Sequence, residues 1–190
     1  MRLTCLRHGV TPLNLAHRFN GMSQEGITEP QREAPAKIDF DHSAFDAIYC
    51  SNLNRTIETA MALGIASWIT DVRIAERNLG VFEGLTDSEC EKQHPRAYKA
   101  FKLLDADFVI PGGESRSEHL SRVLAWLEEA ARHNNVLAVT RGGTMDFLIR
   151  LGTGIPVHGG DEIYGGANAS ITTFQVDWPD VQLLEAGITL

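Results

Sequence analysis

Short apolar runs and amphipathic segments alternate along the chain. Residues 3–6 are apolar and β-prone and Gly9 follows them, so the start of the chain predicts a buried strand that ends in a turn. Residues 45–50 predict a second strand, and the apolar spacing across residues 53–63 predicts a helix that ends at Gly64. Residues 12–43 are polar and interrupted by prolines, which predicts loop and at most short helix.

Two S/T-x-x-E sequences mark helix starts in the second half of the chain. Residues 86–89 and 115–118 match this capping box, in which side chain and backbone satisfy free amides of the first turn. The second box begins the clearest amphipathic helix, whose apolar face repeats at helical spacing as far as Ala131. The remaining predicted elements are a strand, a helix and two strands, at residues 136–140, 144–151, 169–176 and 181–184.

This alternation predicts an α/β fold, a three-layer α/β/α sandwich with a mostly parallel central sheet. We find no internal repeat, low-complexity tract or linker in the sequence, so we expect a single domain over residues 1–190. The composition is ordinary for a globular protein, with 43% hydrophobic and 22% charged residues. A disordered or fibrous chain is therefore disfavoured.

Charge and cysteine content narrow the functional classes. The 17 Lys and Arg against 25 Asp and Glu give a net charge of −8, which disfavours nucleic acid and anionic membranes as partners. No apolar stretch approaches the ~20 residues of a membrane span, and the charged residues 1–8 lack the apolar core of a signal peptide. Three widely separated cysteines suit a reducing compartment. We therefore expect a cytoplasmic protein; its oligomeric state stays open, with a homodimer among the options.

Arginine and histidine residues cluster directly after predicted strands, at positions 7–8, 55 and 141. Ligands of an open α/β sheet bind at the carboxyl ends of its strands. These clusters should therefore converge on one rim of the sheet, where they would form an anion site on an otherwise acidic protein.

His8 is the sharpest candidate for chemistry. A neutral imidazole is a good nucleophile towards phosphorus, and the adjacent Arg7 would lower the pKa of His8 and bind phosphoryl oxygens. Taken alone, a histidine after a strand is more often a turn residue that makes hydrogen bonds. The motifs elsewhere in the chain favour the functional interpretation.

Five motifs occur in order along the chain: Arg7-His8-Gly9, Ser51-x-Leu53-x-Arg55-x-x-x-Thr59-Ala60, Glu76-x-x-x-Gly80-x-Phe82-Glu83-Gly84, Pro111-Gly112-Gly113-Glu114-Ser115 and Val139-Thr140-Arg141-Gly142-Gly143. Together they resemble the histidine phosphatase superfamily, in its phosphoglycerate-mutase-like branch, over nearly the whole chain. The first motif alone would be weak support. Five motifs in order at familiar separations are strong support.

The resemblance implies a role for each matching residue. His8 corresponds to the histidine that becomes transiently phosphorylated, and Arg7 and Arg55 correspond to guanidinium groups that bind the phosphoryl oxygens. Glu76 corresponds to the acid that protonates the leaving oxygen and then assists the attacking water. The residues that contact phosphate or substrate in relatives correspond here to Asn14, Asn20 and Gly21, and the backbone amide of Gly142 would be a further donor.

Other polar residues have more ordinary interpretations. Glu83 is a second carboxylate near the expected site and would shape the pocket, whereas Glu114 is interpreted as a favourable charge at a helix start. Asn168-Ala169-Ser170 is formally a glycosylation sequon, which is irrelevant in a cytoplasmic chain. The remaining histidines singled out lack metal-ligand spacing and are expected to be surface or ordinary hydrogen-bonding residues: His17, His42, His94, His119 and His158. No metal and no cofactor are expected.

Arg141 stands where the resembled family has a second histidine. Arginine can still donate hydrogen bonds to a phosphate, but its permanent charge would lower the pKa of Glu76 and make it a poorer acid. Three explanations are open: a working phosphatase with Arg141 as a third phosphate clamp, a weak or inactive enzyme that binds a phosphoryl ligand or regulates, and an arginine that is not the native residue.

We predict a metal-independent phosphomonoesterase, a hydrolase that cleaves a small phosphorylated metabolite through a phosphohistidine at His8. A phosphoglycerate mutase is disfavoured because the resembled mutases are generally longer, with extra segments that close the pocket. A nucleotide-binding domain is disfavoured because a P-loop or G-x-G-x-x-G after a strand is absent from the sequence. The motifs do not specify the substrate, since variable loops build the leaving-group pocket.

Overall fold

A computed structural model describes residues 1–33, 41–103, 105–157 and 166–189. Their strands are β1 (Arg2–Arg7), β2 (Ala47–Cys50), β3 (Ile69–Thr70), β4 (Asn135–Thr140), β5 (Ser170–Asp177) and β6 (Asp180–Thr189). They form one sheet in the order β3-β2-β4-β1-β5-β6. The first four strands pair in parallel, and β5 and β6 are antiparallel. The predicted α/β fold with a mostly parallel sheet is confirmed.

The helices of the described residues are α1 (Pro12–Leu15), α2 (Glu29–Glu33), α3 (Asn54–Ala62), α4 (Asp87–Gln93), α5 (Pro95–Lys102), α6 (Arg116–Ala130) and α7 (Gly142–Thr153). Both predicted capping boxes are present, at the starts of α4 and α6. The short α1 and α2 fit the proline-interrupted region, of which residues 34–40 lie outside the described part. Helix α5 and the two-residue strand β3 were not predicted from the sequence.

Side chains of the central strands alternate between two buried clusters, as a strand's two-residue period requires. On one face of the sheet, Cys5 packs in a cluster with Trp126 of α6 and Leu148 of α7. On the other face, Leu6 packs in a cluster with Ala60 of α3. Helices therefore cover both faces, and the fold has the three layers that the sequence predicts.

A third apolar cluster lies outside the sheet and joins α4 and α5 to the loop segments around Phe19, Phe82 and Ile110. Phe82 is its centre, with Tyr98 at 6.0 Å and Phe101 at 5.4 Å between ring centroids. Arg18 ties the loop after α1 to this cluster through an ion pair with Glu89 at 2.6 Å. This cluster forms one wall of the cavity described below. Within the described ranges, we find no helix with the length and apolar character that a membrane span requires.

Candidate active site

The ends of two parallel strands bring His8 and Arg141 together. Arg7, the last residue of β1, pairs with Thr140, the last residue of β4. The His8 amide then donates to the Thr140 carbonyl at 3.1 Å. Because the chain leaves both strands at the same rim, the residue after β1 lies beside the residue after β4. The convergence expected from the sequence is present.

His8 is fully buried, and one hydrogen bond defines which of its ring nitrogens carries the proton. Its Nδ1 lies 2.6 Å from the Gly9 carbonyl, which can only accept, so Nδ1 carries the proton and Nε2 keeps its lone pair. Burial, together with the charges of Arg141 and Arg55, holds the pKa of His8 well below its usual value. The imidazole is therefore neutral at neutral pH, a state in which Nε2 is able to act as a nucleophile.

Arg55 lies in the first turn of α3 with its side chain completely buried, so it is not a solvated surface charge. Its guanidinium donates to the carbonyls of Ser23, at 2.7 Å, and Gly21. These dipoles solvate the cation without neutralising it. Burial lowers the pKa of Arg55 to about 9, so it stays charged at neutral pH.

Arg7 is held against the start of α7. Its Nη1 donates to the Gly166 carbonyl, and its Cζ lies only 3.5 Å from where a Cβ on Gly142 would stand. The Nε atoms of Arg7 and Arg55 are buried without a hydrogen-bond partner among the residues that the structure describes. Arg7 thus keeps a donor for an anion at the start of α7, where the helix dipole also favours negative charge.

Glu76 lies beside these cations, buried at the start of α7. Its Oε1 accepts from the Arg77 amide at 2.9 Å, and its Oε2 lies 3.4 Å from Arg141 Nη1. A Cβ on Gly143 would clash with this carboxylate, so glycine permits the close approach. Burial raises the pKa of Glu76, but the charge of Arg141 and the hydrogen bond from the Arg77 amide outweigh it and lower the pKa to about 2. The direction of this effect of Arg141 on the pKa of Glu76 agrees with the expectation from the sequence.

Glu114 positions the Glu76 segment, which corrects its interpretation as a plain helix-start charge. It pairs with Arg122 at 2.6 Å and accepts from the Asn78 amide at 2.8 Å. Arg122 in turn donates to the carbonyls of Ala75, at 2.7 Å, and Glu76, at 2.8 Å. This ion pair therefore fixes the backbone on both sides of the acid.

The loop after α1 contacts the site through its backbone. The Asn20 carbonyl accepts from Arg141 Nη1, and the Gly21 carbonyl accepts from Arg55. Glu83 holds this loop, because its two oxygens accept from two successive amides that begin at Gly21, at 2.9 and 2.7 Å. Glu83 therefore fixes the backbone of the loop that accepts from Arg55 and Arg141.

The site borders a cavity of about 230 Å³. The cavity-lining residues that the sequence singled out as site residues are Arg7, Asn14, Asn20, Glu76, Arg141 and Gly142. His8, Arg55 and Gly21 do not line it. Arg141 lines the cavity, and its Nε donates to His8 Nε2 at 3.1 Å, so the arginine lies between His8 and the cavity.

Sequence reasoning missed several residues around this cavity. His119, expected among ordinary histidines, is buried and lines the cavity, and its pKa falls to about 3 because of burial and the charge of Arg122. Asn168, set aside as part of a sequon, donates to the His8 carbonyl at 3.0 Å. Arg77 could have been suspected from its position next to Glu76, whereas no motif marks Asn168. His158 lies outside the described residues.

Among the described residues, no group of three or more His, Cys, Asp or Glu side chains is arranged so that it could hold a metal ion.

Comparisons with known proteins agree with this geometry. The family model for the histidine phosphatase superfamily (branch 1) matches residues 3–189. A glucosyl-3-phosphoglycerate phosphatase of Mycolicibacterium vanbaalenii is 31% identical over 185 residues, which cover 89% of this chain and 81% of that protein. A metal-independent phosphoserine phosphatase of Arabidopsis thaliana is 30% identical over 154 residues, which cover 75% of this chain and 65% of that protein.

A solved structure matches the fold as a whole. The structure of a mycobacterial glucosyl-3-phosphoglycerate phosphatase with VO3 has a TM-score of 0.79 and 28% sequence identity, and the match covers 99% of both chains. These relatives are named as phosphatases and support the predicted phosphatase activity. The family match, the relatives and the arrangement around His8 lead to one conclusion: the chain belongs to branch 1 of the histidine phosphatase superfamily.

Proposed function

We propose that this chain is a phosphomonoesterase that hydrolyses a small phosphorylated metabolite through a phosphohistidine at His8. One observation carries the proposal. A buried, neutral imidazole keeps its Nε2 lone pair among the guanidinium groups of Arg7, Arg55 and Arg141. The cavity of about 230 Å³ lies below the ~300–1,000 Å³ of drug-sized pockets, which supports a small substrate.

In this proposal, the phosphoryl group binds at the start of α7. Arg7 and Arg55 donate to its oxygens, and the Gly142 amide donates from the positive end of the helix dipole. These donors are fixed before the substrate arrives, because backbone carbonyls and the helix start already hold them. They therefore stabilise the charge that spreads over the phosphoryl oxygens during transfer.

The phosphoryl group is then transferred in two steps, first to His8 and then to water. His8 Nε2 forms a bond to phosphorus while the bond from phosphorus to the ester oxygen breaks, and protonated Glu76 gives its proton to that oxygen. In the second step the Glu76 carboxylate takes a proton from water as the water oxygen attacks phosphorus. The bond from phosphorus to nitrogen breaks, which releases phosphate and restores neutral His8.

Arg141 acts as a third phosphate clamp in this proposal. Its hydrogen bond to His8 Nε2 must open before the nucleophile can attack, and the phosphate oxygens offer the guanidinium a stronger, charged partner. The bound phosphate also offsets the positive charge beside Glu76. Its arrival therefore raises the pKa of Glu76 and allows the carboxyl group to carry the proton that the first step needs.

A second candidate is a catalytically weak protein that binds or senses a phosphoryl ligand. The contact between Arg141 and His8 Nε2 at 3.1 Å favours it, because this contact occupies the lone pair and separates His8 from the cavity. The anion-binding groups would still function in such a protein.

The test measures phosphate release from a panel of small phosphomonoesters in the presence of chelator. The parent protein is compared with His8→Ala and with the control His133→Asn, because His133 lies just before the amino end of β4, at the opposite end of the strands from His8. Release that falls at least ~1,000-fold in His8→Ala and is unchanged in the control supports the phosphatase. Calorimetric binding of inorganic phosphate by folded parent protein that releases none supports the second candidate instead.

A further inference from the structure

The peptide unit that joins His8 to Gly9 is held at both of its polar atoms. Its amide, on Gly9, donates to the hydroxyl of Thr59 in α3 at 2.9 Å. Its carbonyl, on His8, accepts from Asn168 Nδ2 at 3.0 Å and from the Ala169 amide at 3.2 Å. Two distant parts of the chain therefore fix the backbone beside the proposed nucleophile.

The side chain of Asn168 faces these groups with its amide nitrogen. Besides the His8 carbonyl, Nδ2 lies 3.3 Å from the Gly9 carbonyl and 3.3 Å from Asn14 Oδ1. Backbone carbonyls only accept hydrogen bonds, and Asn14 Oδ1 already accepts from the Thr11 amide at 3.1 Å. The two amide protons of Asn168 are therefore shared among three oxygens. They connect the backbone of the nucleophile to Asn14, which lines the cavity.

The backbone after Asn168 adopts an unfavourable conformation that serves these contacts. Ala169 has a φ of 55°, in the left-handed region, where the Cβ of an L residue is crowded. This turn places the Ala169 amide and the Asn168 side chain on the same carbonyl of His8. Ser170 closes the turn, because its hydroxyl donates to the Ala167 carbonyl at 2.7 Å. Unfavourable backbone conformations of this kind persist where the surrounding structure holds them, and they cluster at functional sites.

The Gly9 carbonyl becomes more important once Arg141 turns to the phosphate. Before that, Arg141 Nε and the Gly9 carbonyl fix the tautomer of His8 together, one at each ring nitrogen. Of these two groups, only the Gly9 carbonyl remains when Arg141 leaves Nε2. The ring becomes positively charged as Nε2 bonds to phosphorus, and a hydrogen bond from a charged ring is stronger. The position of this carbonyl therefore matters most during transfer.

We propose that Asn168 and Thr59 are positioning residues for the nucleophile: they hold the backbone at His8 and Gly9 so that the Gly9 carbonyl keeps the proton on Nδ1 while Nε2 attacks. Neither residue is among the described side chains that line the cavity, so neither is placed to bind the substrate. The inference rests on the proposed phosphatase function. Loss of either hydrogen-bonding group should therefore lower kcat much more than it raises KM.

Two substitutions at Thr59 separate hydrogen bonding from packing. Thr59→Val keeps the shape but removes the hydroxyl that accepts from Gly9, whereas Thr59→Ser keeps the hydroxyl and removes a methyl group. We expect Thr59→Val to lower kcat for para-nitrophenyl phosphate by ~10–100-fold, because misplacing a reacting group by about 1 Å can cost on the order of 100-fold. KM should change less than ~3-fold, and Thr59→Ser should keep kcat within ~3-fold of the parent value. A residue that only packs would give the opposite order.

Asn168→Ala removes the donor on the carbonyl side, and Asn135→Ala is its matched control. Asn135 Nδ2 also donates to a backbone carbonyl, that of Ala44 at 2.7 Å, but at the opposite end of β4. Asn168→Ala should lower kcat by ~10–100-fold with KM within ~3-fold, whereas Asn135→Ala should leave both values near those of the parent. Thermal unfolding identifies any variant that fails to fold, and the folded variants then decide.

Nuclear magnetic resonance of His8 gives a readout that does not depend on turnover. The Nδ1 proton is buried and bonded to the Gly9 carbonyl, so 15N-labelled parent protein should show it as a slowly exchanging signal, assigned by its loss in His8→Ala. Asn168→Ala and Thr59→Val should speed its exchange with solvent at least ~10-fold, because the opening of a local contact becomes easier. Thr59→Ser and Asn135→Ala should leave the exchange as in the parent.

The outcomes separate this inference from the phosphatase function. An unchanged kcat or an unchanged exchange rate in folded Asn168→Ala and Thr59→Val would overturn the positioning role, as would a loss of activity that lies in KM alone. Should the parent release no phosphate, the phosphatase function fails separately. The exchange rates of the His8 Nδ1 proton then decide whether Asn168 and Thr59 hold the imidazole.

Discussion

Replacing Arg141 tests how this arginine affects Glu76 and His8, the proposed acid and nucleophile. Its Nη1 lies 3.4 Å from Glu76 Oε2, and its Nε donates to His8 Nε2 at 3.1 Å. Arg141→Gln removes the charge and keeps a neutral donor. Arg141→Lys keeps the charge but not the guanidinium. Comparing the two variants therefore separates the effect of the charge from the effect of the side chain's shape.

The size of the effect on Glu76 follows from the distance. Unit charges 3.4 Å apart interact by about 1 kcal/mol in water and about 5 kcal/mol at an effective dielectric constant of 20. Since 1.36 kcal/mol corresponds to one pH unit, removing the charge should raise the pKa of Glu76 by ~1–4 pH units from its value of about 2. Burial also raises this pKa, and in the variant the charge of Arg141 would no longer counteract it.

The assay is the pH dependence of kcat for glycerol 3-phosphate. A general acid must be protonated, so turnover falls as the pH rises through the pKa of Glu76 in the complex, and a higher pKa moves this fall to higher pH. We expect Arg141→Gln to shift this fall in kcat, the basic limb of the pH profile, to higher pH by at least ~1 pH unit. As a result, kcat near pH 7 should be higher by about 10-fold. KM should rise as well, because the phosphate loses a charged hydrogen bond of about 1.5–3 kcal/mol.

para-Nitrophenyl phosphate provides a matched control, because its leaving group departs without a proton. Its basic limb should stay in place in both variants, and Arg141→Lys should leave the limb for glycerol 3-phosphate near that of the parent. An unchanged limb in Arg141→Gln, or one that moves equally in Arg141→Lys, would refute the electrostatic reasoning.

Two other variants test the supports of the site. Gly143→Ala should lower kcat at least ~10-fold without lowering stability, because the new Cβ displaces the Glu76 carboxylate while alanine favours the helix by up to ~1 kcal/mol; an unaltered kcat would contradict this. Glu83→Gln should lower the free energy of unfolding by about 1–3 kcal/mol and raise KM, because one amide oxygen cannot accept all three hydrogen bonds that the Glu83 carboxylate accepts from backbone amides. The free energy is measured by urea unfolding and KM by steady-state kinetics, and finding both unchanged would refute this role of Glu83.

Local patterns were sufficient for most of the fold. The apolar run before Arg7 and the one before Arg141 are buried strands, because each is short, β-prone and ended by glycine-containing turns. The capping boxes mark true helix starts, since they act within one turn of backbone. The pattern missed α5, whose apolar side chains pack into the separate cluster around Phe82 rather than against the sheet.

The sequence alone also determined which residue types meet at the rim, because parallel strands place their carboxyl ends together. Only the tertiary structure decided that Arg141 covers His8, that Glu114 braces Glu76 through Arg122, and that His119 is buried at the cavity. These contacts join segments tens of residues apart, and their geometry depends on the direction of each side chain. Periodicity indicates which face of a strand or helix a side chain occupies, but not its rotamer or its distant partner, so the partners of each charge appear only when the chain is folded.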